Sequence, residues 1–286
     1  MRRKDIVMTD NIKSFLAFDL GHMDESKFSN VIKDIVYSDD PDLKCDIYYP
    51  EEKKDVYPVF LIVYGGGWIS GFKCSAFVEP MLKPLNHGYC CIVLDYTMSL
   101  DEAFPRSVVD IKKGIDFIHT HKDEYHLDDT NISIWGESAG AHLALEACLL
   151  PNKEVGVELN NEVKNMVIMY PLVNIETADD HPEVVTMKHN EEDSMFSIYL
   201  GPNRLDERVR YLASPIHFIN EDMPNLWLQH GSADALLPYQ QTIEVEEKVK
   251  DFPIKKHIEI VEGKGHTDPY FFTDENVARI IEFIEG

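Results

Sequence analysis

The sequence predicts an α/β protein with a doubly wound, mostly parallel sheet of eight strands flanked by helices. Three observations predict this class: short apolar runs recur along the chain, segments of helical periodicity lie between most of them, and no internal repeat or linker-like tract interrupts the alternation. Near-continuous apolar runs are typical of strands covered on both faces. Strands that alternate with helices indicate βαβ units and a single parallel sheet.

The predicted strands follow the apolar runs in chain order. They span residues 32–38, 44–50, 57–65, 89–97, 131–138, 164–172, 224–231 and 255–263. No helical pattern separates the first two strands, so we expect that end of the sheet to be antiparallel.

The predicted helices lie between later strands. Apolar residues spaced by three and four follow Pro105, and the intervening positions Asp110, Lys112, Lys113 and Asp116 indicate a polar face. Residues 138–150, 239–250 and 273–286 also have helical patterns, the last beginning at Thr273 as N-cap.

Two segments depart from the alternation within what we interpret as one domain spanning residues 1–286. Residues 173–223 connect two strands, and a connection of that length is more typical of a cap or lid than of a simple crossover. Residues 1–30 precede the first strand, and we expect them to form a second covering segment.

The charge balance restricts the class of partner. Lys and Arg number 27 against 51 Asp and Glu, which gives a net charge of −24. Such a surface repels nucleic acid and anionic membranes and favours a small neutral substrate. No run of 18 apolar residues and no signal-peptide pattern occurs, so we expect a cytoplasmic protein without a membrane span. The odd count of five cysteines without metal-ligand spacing indicates reduced thiols and no metal site.

A candidate nucleophile lies where the fifth strand meets the following helix. The motif Gly136-Glu137-Ser138-Ala139-Gly140 fits a nucleophile elbow, in which a sharp strand-to-helix turn exposes the serine hydroxyl. The small residues around Ser138 are required because strand and helix pass close together at this turn. The alternative is a tight turn with an inert serine.

A histidine base and an acid follow Ser138 in the expected chain order. His266 lies in the loop after the last strand and is the candidate base, with His230 as the strongest rival among twelve histidines. Asp234, after the seventh strand, is the candidate acid that orients His266. Asp268 competes for that role, although its position two residues from His266 better suits a local turn.

The glycines Gly65, Gly66 and Gly67 follow an apolar strand directly. Backbone N–H groups that stabilise an oxyanion need such a loop, because side chains there would block the substrate. In a nucleophile elbow, the amide of the residue after the serine is a further donor. We therefore predict donors at Gly66, Gly67 and Ala139. The alternative, a phosphate-binding loop, lacks the GxGxxG or GK[ST] pattern and the positive charge that phosphate requires.

At this point the chain resembles the α/β-hydrolase superfamily, in its branch of hormone-sensitive-lipase-like and acetyl/feruloyl esterases, from about residue 30 onward. The resemblance is carried by YGGGW (64–68), LDYTMSLDEAFPRSVVDI (94–111), GESAG (136–140), DALLP (234–238) and GHTDPYF (265–271). It implies a cofactor-free serine esterase with Ser138, Asp234 and His266 as triad. Members of this branch usually have histidine before the glycines, where this chain has Tyr64.

The resemblance implies a carboxylesterase that acts through an acyl-enzyme on short acetyl-type or hydroxycinnamoyl esters, including those of carbohydrates. Two alternatives remain: an arylformamidase-like amide hydrolase, and a catalytically silent ligand-binding protein of this fold. Trp68, Phe196 and Tyr199 are candidate substrate-binding residues. The aromatic and Met side chains of the cap, including Met195 and Tyr211, either line an acyl pocket or form the core of the cap. The oligomeric state is not predicted.

Overall fold

The computed structural model describes residues 9–183, 188, 191–192 and 194–286, without the side chain of Asn11. Residues 1–8 of the predicted N-terminal segment, and residues 184–187, 189–190 and 193 of the predicted cap, lie outside the described residues. Across the described part, no helix combines the length and apolar character needed to cross a bilayer.

A single eight-stranded sheet forms the centre of the described chain. Its strands are β1 (Val31–Val36), β2 (Lys44–Tyr48), β3 (Tyr57–Val63), β4 (Cys90–Leu94), β5 (Leu127–Glu137), β6 (Asn165–Met169), β7 (Asn225–Gly231) and β8 (Lys256–Val261). Their order is β1-β2-β4-β3-β5-β6-β7-β8. Strand β2 is antiparallel to both β1 and β4, and all later pairings are parallel. All eight predicted strands and the antiparallel end are confirmed.

The central strands are buried on both faces, which explains their continuous apolar sequences. Every residue of β4 and β6 is buried, and β3 has only Pro58 partly exposed. Parallel strands end at one edge of a sheet, so the loops after β3, β5, β7 and β8 meet there. These are the loops that carry the glycine run, Ser138, Asp234 and His266.

Seven α-helices are found in the described residues. They are α1 (Asp10–Leu16), α2 (Arg106–Tyr125), α3 (Ala139–Leu149), α4 (Met195–Leu200), α5 (Glu207–Leu212), α6 (Gln240–Val249) and α7 (Asp274–Glu285). Thr273 caps α7 by accepting from the Asn276 amide, as predicted. Helices α4 and α5 lie in the segment predicted as a cap, and α1 lies in the N-terminal segment. Their covering role stays a prediction.

Helix α2 differs from the predicted amphipathic pattern, because Asp110 and Lys112 are fully buried. Asp110 accepts from the Thr97 amide and pairs with Arg106. Lys112 donates to the carbonyl oxygens of Ala147 and Leu150 at the end of α3, and burial lowers the pKa of Lys112 to about 8. Helix α3 packs against α2 and supplies these acceptors. Lys112, which the sequence pattern places on the polar face of α2, therefore has polar partners inside the protein.

Gly140 sets how closely α3 approaches β3. A Cβ added at Gly140 would lie 2.1 Å from the Val63 carbonyl oxygen and 2.4 Å from that of Tyr64. Both contacts are with backbone, which cannot move without displacing the end of β3.

We expect Gly140→Ala to destabilise the fold by about 3 kcal/mol or more, although alanine normally stabilises a helix relative to glycine. Gly114→Ala in α2 is the matched control, because the one contact below 3 Å that a Cβ there would make among the described residues is with Leu94 Cδ2 at 2.4 Å, the far end of a side chain and not backbone. Urea unfolding of the two variants checks the prediction. Equal stability of both variants would contradict it.

Candidate active site

Ser138 is held in a strained turn between β5 and α3. Its backbone has φ 53° and ψ −123°, a region that residues other than glycine rarely adopt. The Ser138 amide donates to the Met169 carbonyl oxygen at 3.0 Å, which fixes the turn to the end of β6. A Cβ at Gly136 would lie 2.5 Å from the Gly140 carbonyl oxygen, so the small residues around Ser138 are required by close approach of the backbone.

His266 joins Ser138 to Asp234 in a continuous chain of side chains. His266 Nε2 lies 2.8 Å from Ser138 Oγ, and His266 Nδ1 lies 2.7 Å from Asp234 Oδ2. An Nδ1–H that donates to the carboxylate leaves the Nε2 lone pair free to accept the hydroxyl proton. The structure therefore brings together the three residues that the sequence singles out.

The loops after β7 and β8 are bonded to each other, which places Asp234 beside His266. The Ala233 amide donates to the Lys264 carbonyl oxygen at 2.9 Å, and the Gly263 amide donates to Ser232 Oγ at 2.8 Å. A Cβ at Gly231 would lie 2.1 Å from the Lys264 carbonyl oxygen. Glycine at the end of β7 thus permits the two loops to lie in contact.

Asp234 is fully buried, and both of its carboxylate oxygens accept hydrogen bonds. Its Oδ1 accepts from the Leu236 and Leu237 amides, and its Oδ2 accepts from His266 and from His230. Burial by itself would raise the pKa of Asp234, but the two histidines hold it well below the ordinary value for a carboxyl group. Asp234 is therefore ionised and can stabilise a charged imidazole.

The rival residues take other roles in the structure. His230 bonds Asp234 at 3.2 Å and Thr242 Oγ1 at 3.0 Å, so it contacts the acid rather than Ser138. Asp268 caps the short 3-10 helix at Pro269–Phe272 by accepting from the Tyr270 amide. This local turn is the role that sequence spacing suggested for it.

The glycine loop lies against the turn that carries Ser138. Gly66 and Gly67 have φ values of 124° and 60°, which favour glycine. The amide N–H groups of Gly66, Gly67 and Ala139 donate to no acceptor within the described chain. Unbonded amides beside a nucleophile are the groups that an oxyanion hole requires.

Tyr64, at the position of the family's usual histidine, anchors the start of this loop. Its ring stacks on that of Tyr96, and its hydroxyl donates to Asp95 Oδ1 at 3.1 Å. The same oxygen accepts from the Lys73 amide at 2.8 Å, and Tyr96 donates to the Tyr64 carbonyl oxygen. Asp95 thus joins Tyr64 and Lys73, which lie at the two ends of the segment that contains the glycines.

Trp68, Phe196 and Tyr199 form a packed cluster. They are 5%, 1% and 0% exposed, and the Trp68 ring contacts both of the others. Trp68 Nε1 also donates to His142 Nδ1 at 3.1 Å, and burial lowers the pKa of that histidine to about 4. That the three aromatic residues bind substrate stays a prediction.

Two residues of the site were missed by the sequence analysis. Glu137 accepts from the Gly65 amide at 2.6 Å, and the Tyr170 ring packs edge-on against His266 with centroids 4.7 Å apart. Tyr170 also has a left-handed backbone, with φ 40°. The one available signal was an acidic residue, Glu137, inside an otherwise apolar and small-residue motif.

Solved structures share this fold. A truncated carbohydrate esterase from gut microbiota superposes with a TM-score of 0.80 at 22% identity, covering 93% of this chain and 98% of that one. The propionate-bound esterase Est2 from the Planctomycetes species Thermogutta terrifontis gives a TM-score of 0.69 at 24% identity, covering 90% and 92%.

Curated relatives are similar over part of their length. The chain is 28% identical over 191 residues to the probable carboxylic ester hydrolase LipM of Mycobacterium tuberculosis, covering 64% of this chain and 43% of that protein. It is 27% identical over 256 residues to the probable isoprenylcysteine alpha-carbonyl methylesterase ICME of Oryza sativa subsp. japonica, covering 84% and 59%. The chain spans about half the length of these relatives.

The sequence profile of the BD-FAE family matches residues 45–249, which include the glycine loop, the serine motif and Asp234. His266 follows the matched region. The match covers most of the sheet, and the superposed esterases share the same α/β-hydrolase architecture. The chain therefore belongs to the BD-FAE family of α/β-hydrolase-fold proteins.

Proposed function

We propose that this protein is a serine carboxylesterase that hydrolyses short-chain esters through an acyl-enzyme. The observation that carries the proposal is the pair of hydrogen bonds that links Ser138 Oγ through His266 to buried Asp234. The backbone amides of Gly66, Gly67 and Ala139, which have no acceptor in the described chain, lie beside it. The names of the relatives, an ester hydrolase and a methylesterase, support the same reaction class.

In the first half-reaction, Ser138 Oγ attacks the ester carbonyl carbon while His266 Nε2 takes the hydroxyl proton. The carbonyl oxygen becomes an oxyanion and accepts from the amides of Gly66, Gly67 and Ala139. The imidazolium, stabilised by Asp234, then gives its proton to the departing alcohol. In the second half-reaction, water attacks the acyl-enzyme with the same proton transfers and releases the acid and Ser138.

The acyl group that fits is small, because side chains close the space over Gly67. A Cβ placed at Gly67 would lie 2.5 Å from Met195 Sδ and 3.3 Å from Phe15 Cζ. Met195 comes from α4 and Phe15 from α1, and both are half-buried. The acidic charge of the chain favours a neutral ester. Acetylated carbohydrate is the natural substrate class that we infer, in keeping with the name of the superposed carbohydrate esterase.

Ser138→Ala is expected to lower kcat for 4-nitrophenyl acetate by at least about 1,000-fold, because no other hydroxyl is activated at this position. Ser107→Ala is the control, since Ser107 is buried in α2 and its hydroxyl has no hydrogen-bond partner in the described chain. An organophosphate should label the wild-type protein once, at Ser138. Absence of labelling would favour the silent ligand-binding alternative, and faster turnover of N-formylkynurenine than of phenyl acetate would favour the amide hydrolase.

Met195→Ala is expected to raise the ratio of kcat/KM for 4-nitrophenyl hexanoate over acetate by about tenfold, because it removes the side chain that occupies the space over Gly67. Tyr211→Ala is the matched control from the same segment, since Tyr211 is 42% exposed and stacks on His217. An acyl series from acetate to octanoate, with methyl ferulate, measures the change. The proposal on acyl length fails if wild type already prefers octanoate or methyl ferulate.

A further inference from the structure

Glu137 is the last residue of β5 and immediately precedes Ser138, and its side chain reaches the glycine loop. Its Oε1 accepts from the Gly65 amide at 2.6 Å, and Glu137 is 8% exposed. A Cβ at Gly65 would lie 2.4 Å from the same oxygen, so the carboxyl group is in direct contact with the loop backbone. Gly65 immediately precedes Gly66, the first of the amides assigned to the oxyanion.

The surroundings of Glu137 contain no lysine or arginine partner among the described residues. The titratable groups that face it are Tyr170, His266 and Tyr96. The Tyr170 hydroxyl is buried and approaches Glu137 without completing a hydrogen bond of good geometry. Burial raises the pKa of Glu137, while nearby His266 and the hydrogen bond from Gly65 oppose that rise. A carboxyl group without a strong cation partner acts here mainly as a hydrogen-bond acceptor.

Other contacts hold the far side of the glycine loop. Tyr96 and Asp95 fix Tyr64 and Lys73, and the Gly66 carbonyl oxygen accepts from the Ser70 amide inside the loop. None of these contacts comes from the residues adjoining Ser138. The bond from Gly65 to Glu137 therefore links the loop directly to the turn that carries the nucleophile.

We propose that Glu137 is a positioning residue, whose bond to the Gly65 amide sets the distance between the oxyanion donors and Ser138 Oγ. Because Glu137 and Ser138 are adjacent in the chain, one short segment fixes both the attacking oxygen and the loop that receives the negative charge. Loss of the bond lets Gly66 and Gly67 shift relative to Ser138. This inference rests on the proposed esterase function of the same site.

Three variants test the role of Glu137. Glu137→Gln keeps an acceptor oxygen at the same reach, Glu137→Asp keeps the acid but shortens its reach, and Glu137→Ala removes the acceptor. Misplacement of catalytic donors by about 1 Å costs on the order of 100-fold in rate. We expect kcat for 4-nitrophenyl acetate to fall about 100-fold in the Asp and Ala variants, with KM within about threefold, and to stay within about fivefold of wild type in the Gln variant.

A second readout separates positioning from a general loss of structure. A trifluoromethyl ketone forms a tetrahedral adduct whose oxyanion needs the same donors, so its affinity should fall in parallel with kcat. Glu259→Ala on β8 is the control, because it removes a carboxylate that bonds Gln229 and Arg279 away from Ser138. It should change neither kcat nor inhibitor affinity by more than about threefold.

Two results would overturn the inference: wild-type kcat in the folded Asp or Ala variant, or a loss in the Gln variant as large as that in Ala. If the Ala variant does not fold, the Asp and Gln variants still decide between these outcomes. Organophosphate labelling distinguishes the two proposals. Failure to label wild-type Ser138 would contradict the esterase function, whereas normal labelling with equal kcat in all variants would contradict only the role of Glu137.

Discussion

The first turn of α3 lies against the carbonyl oxygens that end β3, at a separation that leaves no room for a Cβ at Gly140. This contact places the glycine loop next to Ser138. It also forces the strand-to-helix turn into a backbone conformation that residues other than glycine disfavour. The nucleophile, the oxyanion donors and the bond from Gly65 to Glu137 all depend on this close approach.

Strain in the described backbone is concentrated around the same point. Six residues other than glycine have positive φ, and four of them belong to the site or its loops: Trp68, Ser138, Tyr170 and Thr267. Each left-handed residue costs about 1–3 kcal/mol, and such conformations persist only where packing imposes them. The buried apolar sheet supplies that packing, so a rigid core holds reactive groups in positions that an isolated loop would not adopt.

Sequence reasoning located every strand because apolar runs between helical segments are a local signal. It placed the start of β5 late, since Leu127 and the polar Asp128 join the sheet only by pairing with Tyr57 and Pro58. The sequence did not predict that Lys112 is buried or that His230 also bonds Asp234. It also did not predict that Glu137 accepts a hydrogen bond from the Gly65 amide. The contacts of Lys112 and Glu137 join segments that lie far apart in the sequence, so only the fold reveals them. His230 lies only four residues from Asp234, but its contact depends on the turn after β7, which periodicity does not describe.

A crystal structure of the protein after reaction with paraoxon tests the central claim most directly, because the adduct resembles the tetrahedral intermediate. We expect phosphorus on Ser138 Oγ, with a phosphoryl oxygen about 2.7–3.1 Å from the amide nitrogens of Ala139 and of Gly66 or Gly67. His266 should remain bonded to Asp234. Phosphorus on another residue, or a phosphoryl oxygen directed away from these amides, would contradict the account.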